Sequence, residues 1–241
     1  MNYMKHFLKE KFCNNSGRLA LISLLIIGTL VIPLNIKFSF AENVNPNVFP
    51  ADSKPYSLTY GDWTAKFWQW LHSIPKPDNP AADPTGKNCA LKQTGPVWFL
   101  TGTFGGTNER TCTIPRDKAI LITAINVMCS YAEHHVKTEP ELRACAKADQ
   151  DKVTGAQITL DGVQIEPVRL QSPMFTVTLP ENNALGLKPQ TSPALSDGYW
   201  AILKPLPPGN HTLHASGSLV DFTTTGTVNF ASDALYHLIV K

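Results

Sequence analysis

The sequence predicts a mainly β protein: an antiparallel β-sandwich, jelly-roll-like or immunoglobulin-like, with two short peripheral helices, over residues 59–241. Three observations carry that expectation. Strand-like runs separated by Gly, Pro, Asn and Asp turns recur through the second half of the chain. Only two segments carry helix signatures, so the helix after each strand that a parallel βαβ sheet requires is missing. The run Lys118 to Met128 (KAILITAINVM) is apolar at both parities, as a central strand covered on both faces must be.

Residues 1–41 read as a targeting segment. Lys5, Lys9, Lys11 and Arg18 give a basic start, Leu19 to Leu34 is almost wholly apolar, and Ser39-Phe40-Ala41 supplies small residues before Glu42. That order is the pattern of a cleaved secretory signal. The alternative is an uncleaved anchor, although the apolar run is shorter than the roughly 20 residues a bilayer span needs. Either way, the positive-inside bias sends residues 42–241 out of the cytoplasm: secreted, or held at the outer face of the cytoplasmic membrane. Membrane contact is expected only through this segment, if it stays uncut. The 42–58 segment, rich in Pro and Asn, is expected to be extended and loosely held.

Thr59 with Asp62 three residues later resembles a capping box, with Asp in place of the usual Glu. The DWTAKFWQWLHS stretch behind it is amphipathic at helical spacing. Trp63, Phe67, Trp68, Trp70 and Leu71 share one arc, and Lys66, Gln69, His72 and Ser73 share the other. Pro75 ends this helix. Residues 75–95 are turn-rich, Pro96 to Thr103 is a buried strand, and Phe104 to Asn108 is a Gly-rich turn read as a hairpin loop. Thr138 and Glu141 form the second capping box, opening a helix expected to run to about Asp151. The remaining strands are expected at 156–160, 163–166, 174–179, 199–203, 211–216, 222–230 and 235–240. Turns are expected at Asp161-Gly162, Glu181-Asn182-Asn183, Ser196-Asp197-Gly198 and Pro207 to Asn210.

Composition narrows the function classes. The chain carries 21 Lys+Arg against 19 Asp+Glu, and five of the basic residues lie in the first 41. The body is therefore close to neutral and has no electrostatic footprint for nucleic acid. Of five cysteines, Cys13 lies in the targeting segment. Cys89, Cys112, Cys129 and Cys145 remain, an even number in a chain read as exported, and disulfides are the default. Four cysteines allow three connectivities. Proximity favours 89–112 and 129–145, each closing a loop of about 20 residues.

Nucleophile and phosphate signatures are missing: no G-x-S-x-G, HExxH, GxxxxGK[ST] or GxGxxG occurs. Glu133-His134-His135 is the most reactive-looking polar cluster, a candidate for metal ligation with a remote histidine, against the plainer reading of a solvated loop. Cys129-x4-His134 has a spacing seen near type 1 copper, but the next methionine is Met174, too remote to be the usual weak ligand.

One likeness spans nearly the whole body. Its elements are Trp63, Trp68 and Trp70; Asn79-Pro80, Asp83, Thr85-Gly86 and Cys89; Gln93 with Gly95 to Gly106 (GPVWFLTGTFGG); Arg110, Cys112 and Ile114-Pro115; Asp197-Gly198-Tyr199-Trp200; and Leu206 to Thr212. In this order they resemble a family of exported prokaryotic proteins, bacterial and archaeal, of unassigned activity. The resemblance implies export and a β-rich fold, and it carries over no catalytic residue.

These features together suggest an exported, non-enzymatic module that binds a glycan, a small molecule or an envelope protein and needs no cofactor. Its candidate contact surface is the Trp-rich helix with the Gly-rich loop: Trp63, Trp68, Trp70, His72 and Phe104. The alternative is a metal-binding protein or metal-dependent enzyme using Glu133, His134 and His135.

Overall fold

A computed structural model describes residues 47–223 and 226–241. The signal or anchor expected at 1–41, and Cys13 within it, lie outside the described residues. Ten strands and two α-helices follow in the order β1 (Val97–Phe99), β2 (Gly106–Ile114), β3 (Ala119–Ser130), α2 (Glu139–Gln150), β4 (Val153–Leu160), β5 (Val163–Ile165), β6 (Val168–Gln171), β7 (Phe175–Leu179), β8 (Gln190–Leu203), β9 (Gly209–Thr223) and β10 (Gly226–Val240), with α1 (Tyr60–His72) ahead of them all. The expected β-sandwich is present. One sheet has the order β1-β3-β8-β6, with β7 also pairing β8; the other has the order β2-β10-β9-β4-β5.

Alternation of side chains explains the layers. From β3, Ile120, Ile122 and Ala124 enter the core between the sheets, while Ala119 and Leu121 enter a second core under α1. The doubly apolar run is thus a strand covered on both faces, as its sequence requires. A register shift between Thr123 and Ile125 changes the facing beyond it. There Cys129 packs with Leu195 of β8 against Leu142 and Ala146 of α2. The second sheet buries one face only: in β10, Ala234, Tyr236, Leu238 and Val240 point inward, and the residues between them do not. At Gly217 the two sheets approach closely; a Cβ there would lie 2.5 Å from Cβ of Ile125.

Several local expectations need correction. The pairing is not wholly antiparallel: β1 runs parallel to β3, and β2 parallel to β10. The Gly-rich stretch does not close a hairpin, because β1 and β2 belong to different sheets and the chain crosses between them here. The run 222–230 is not one strand, since Thr223 of β9 pairs with Gly226 of β10 across a reversal. Ser196-Asp197-Gly198 is not a turn but the middle of β8, where buried Asp197 accepts from Arg169 at 3.1 and 3.2 Å. Strands β2 and β6 were not expected at all. Half of β2 faces solvent, so its sequence (GTNERTCTI) reads as polar. The described part of segment 42–58 is neither wholly extended nor loosely held: Pro55–Ser57 form a 3-10 turn, and the start is fastened to β8, where Phe49 N donates to Ile202 O at 2.9 Å, and to the residue after it, where Lys204 N donates to Asn47 O at 2.8 Å.

Both capping boxes form as the sequence predicts, Thr59 with Asp62 and Thr138 with Glu141. Both disulfides pair as proximity favoured, Cys89 with Cys112 and Cys129 with Cys145. Two disulfides point to an oxidising, extracytoplasmic environment. Among the described residues, no helix is long and apolar enough to cross a membrane.

Candidate functional site

Helix α1 lies over the outer face of the first sheet and turns its three tryptophans inward. Two of them are fully employed. Nε1 of Trp63 donates to Pro55 O at 2.9 Å, and Nε1 of Trp70 donates to Leu91 O at 2.8 Å. Trp68 differs. It is only 9% exposed, yet its Nε1–H has no acceptor in the protein. Its ring stacks on His72 one turn later, with centroids 5.3 Å apart and planes 12° from parallel. His72 was expected on the exposed arc of the helix; it is 2% exposed. The arc argument failed because α1 is covered over more of its circumference than one sheet face would give. Burial drives the His72 pKa down to about 4, so the ring is neutral at physiological pH.

Trp68 forms part of the wall of a cavity of about 160 Å³, which is also lined by Leu71, Thr101, Phe104, Asn126 and Ser232. Here the Trp-rich helix and the Gly-rich loop do come together. Asn126 stands on β3 just past the register shift, and its Nδ2, also buried, has no partner. Phe104 is 53% exposed. The loop beneath it is fixed: Thr103 N donates to Ser232 Oγ at 2.8 Å, and Gly105 N to Thr103 Oγ1 at 3.1 Å.

The wall is held from behind by Arg110, a residue given no role by sequence reasoning. It is 1% exposed and spends its donors on five acceptors. Nε donates to Asp83 O at 2.8 Å; Nη1 to Thr101 O, Gly102 O and Tyr236 Oη at 2.8, 2.9 and 2.7 Å; and Nη2 to Ala81 O at 3.2 Å. The turn-rich 75–95 stretch is built to meet it. Asn79 Nδ2 donates to Leu71 O at 2.8 Å, tying the stretch to the end of α1, and the Asp83 carboxylate accepts from Thr85 N and Asn88 N at 2.9 and 2.8 Å. Gly86 sits at φ +86°, and a Cβ there would meet Thr111 O at 2.6 Å, so only glycine fits. Asn79, Asp83, Gly86, Cys89, Arg110 and Cys112 together form one buttress of the cavity.

A wider groove of about 620 Å³ lies elsewhere along α1, lined by Tyr56, Trp63, Lys66, Gln69, Trp70 and Lys92 among others. Its tryptophan rings are almost wholly buried, and the exposed aromatic ring it presents is that of Tyr56.

The Glu133-His134-His135 loop is not gathered into one site. His135 is exposed, and Glu133 Oε2 accepts from Ser130 Oγ at 3.1 Å. Only His134 joins a cluster of ligand-type atoms, with Cys129, Cys145 and Asp149, all within 4.8 Å of one another. The two sulfurs in it are joined to each other, which removes them as thiolate ligands. His211, His214 and His237 pair instead with Asp161, Asp233 and Glu109.

No model of a protein family, no curated protein and no solved structure matches this chain.

Proposed function

We propose that the protein is an exported, non-enzymatic binding module whose ligand is a small molecule held in the cavity between α1 and the Gly-rich loop. One observation carries the reading. Trp68 and Asn126 both line the cavity, and each carries a buried donor, Nε1–H and Nδ2, that has no acceptor in the protein. Leaving a buried donor unpaired costs about 1–3 kcal/mol, and a ligand acceptor recovers that loss. Export is supported by the basic and apolar start of the chain and by the two disulfides. Among the expected partners, a small molecule fits better than a glycan or an envelope protein. Trp63 and Trp70 face inward with their N–H groups already bonded, so α1 offers no open aromatic platform.

The test is a thermal-shift screen of small molecules on the protein and on Trp68→Phe, which keeps a ring and removes the donor. A ligand at 100 times its Kd adds about 2.7 kcal/mol, or roughly 5–10 °C in a domain of this size. A compound that stabilises the protein and fails to stabilise Trp68→Phe is the expected result. Compounds that shift the protein and Trp68→Phe equally, and Asn126→Ala equally as well, would remove the cavity as the site.

A further inference from the structure

The chemistry of the cavity walls specifies what kind of molecule belongs there. We infer that the ligand is an uncharged molecule, about one six-membered ring in size, with an oxygen that accepts a hydrogen bond from Trp68 Nε1–H or Asn126 Nδ2. This deepens the binding reading above and rests on it.

Size comes first. A cavity near 150 Å³ takes a benzene-sized molecule, and this one measures about 160 Å³. A single ring or a chain of about six heavy atoms fills this volume.

Charge comes next. None of the lining residues is ionisable: the walls are Trp68, Leu71, Phe104, Phe230 and smaller apolar or hydroxyl residues, with Asn126. The nearest candidate for a cation is Arg110, behind Thr101 and Gly102, and its donors are already taken by four carbonyls and Tyr236 Oη. His72, stacked on Trp68, does not line the cavity and is buried without a hydrogen-bond partner. An anion entering the cavity would give up its hydration without a counter-charge, which is far costlier than desolvating a neutral polar group. A cation fares no better, because no carboxylate lines the walls.

Polarity comes last. Trp N–H can only donate, and the unpartnered atom of Asn126 is its amide nitrogen. Two of the hydroxyls nearby are committed to the loop, Ser232 Oγ accepting from Thr103 N and Thr103 Oγ1 donating to Gly106 O at 3.0 Å, and that of Thr123 donates to Tyr199 O at 3.2 Å. What these two donors lack is an acceptor. A ketone, aldehyde, ester or amide oxygen on an apolar body supplies it. A plain hydrocarbon fills the volume and leaves both donors unpaired.

Three probes of nearly equal size separate these terms: cyclohexanone, methylcyclohexane and cyclohexanecarboxylate. Each is titrated into ¹⁵N-labelled protein, and the indole N–H resonances are followed, with that of Trp68 identified by its loss in Trp68→Phe. Cyclohexanone is expected to move the Trp68 resonance saturably, at least tenfold more tightly than methylcyclohexane, with no saturable shift from the carboxylate at neutral pH. Asn126→Ala, which leaves every indole in place, is expected to weaken cyclohexanone without affecting methylcyclohexane. Methylcyclohexane binding as tightly as cyclohexanone, or the carboxylate binding more tightly, would overturn the ligand class while leaving a binding cavity. If no probe moves the Trp68 resonance, the cavity itself falls as a binding site, and this inference falls with it.

Discussion

His211 shows how a single side chain can carry a pH dependence. Its Nδ1 lies 2.7 Å from Asp161 Oδ2 and its Nε2 lies 2.9 Å from Pro207 O. Both partners can only accept, so the arrangement favours the protonated ring, whose two nitrogens both donate. Desolvation opposes that charge, but the Asp161 bond, the Pro207 carbonyl and the Asp161 charge outweigh it and hold the His211 pKa above its ordinary value. A group with a raised folded pKa stabilises fully below its unfolded value, about 6.5, and loses that contribution as pH rises through the folded value. The partner carboxylate of Asp161 is held below its usual range, so its share is lost only in acid. Urea unfolding is therefore expected to show less stability at pH about 8.5 than at about 6. His211→Asn should flatten that difference, and an unchanged slope would show that the pair contributes nothing. No local pattern in the sequence assigns His211 this role. Its partner lies 50 positions away in the β4–β5 turn, a distance that no local pattern bridges.

Helix α1 owes its place to two separate causes, one local and one not. The local cause is the capping box: Thr59 N donates to Asp62 Oδ2 at 2.9 Å, and Asp62 N donates to Thr59 Oγ1 at 3.1 Å. Thr59→Ala is expected to cost about 1 kcal/mol, read as a fall of roughly 2–4 °C in Tm. No change in Tm would show that packing alone fixes the helix start. The non-local cause is the apolar face of the first sheet, where Trp200 meets Phe67 with ring centroids 5.1 Å apart. The caps and the arc of tryptophans were legible because both depend on residues three or four apart. The burial of His72 was not, because it depends on the 75–95 stretch folding back over the C-terminal end of α1. Strand β2 escaped notice for the opposite reason: its solvent face carries Thr107, Glu109, Thr111 and Thr113, and its partner β10 lies more than a hundred residues further along.

At the scale of the whole molecule, the disulfides serve different layers. Cys89–Cys112 ties the buttress stretch to β2 behind the cavity, and Cys129–Cys145 ties α2 to β3. They close spans of 23 and 16 residues, so on a loop-entropy argument each contributes about 3 kcal/mol. Their local consequences should differ. Replacing Cys129 and Cys145 by Ser is expected to lower global stability by about that amount. It should also speed hydrogen exchange first in α2, whose small core is Cys129, Leu142, Ala146 and Leu195. Exchange accelerating in α1 before α2 would show that the bridge does not hold that layer separately.

The sequence alone determined the β class, both helices with their caps, the doubly covered β3 and a disulfide-bearing body. Each of these is written in composition or in spacings of a few residues. The tertiary structure decided the rest: the two parallel pairings, the crossing of the Gly-rich loop between sheets, the burial of His72, and the meeting of Trp68 with Asn126, Phe104 and Ser232. Those residues come from α1, β3, the crossing loop and β10, more than 160 positions apart at the extremes. A cavity is the space left between packed elements, and its walls are set by how the layers close rather than by any local run of residues.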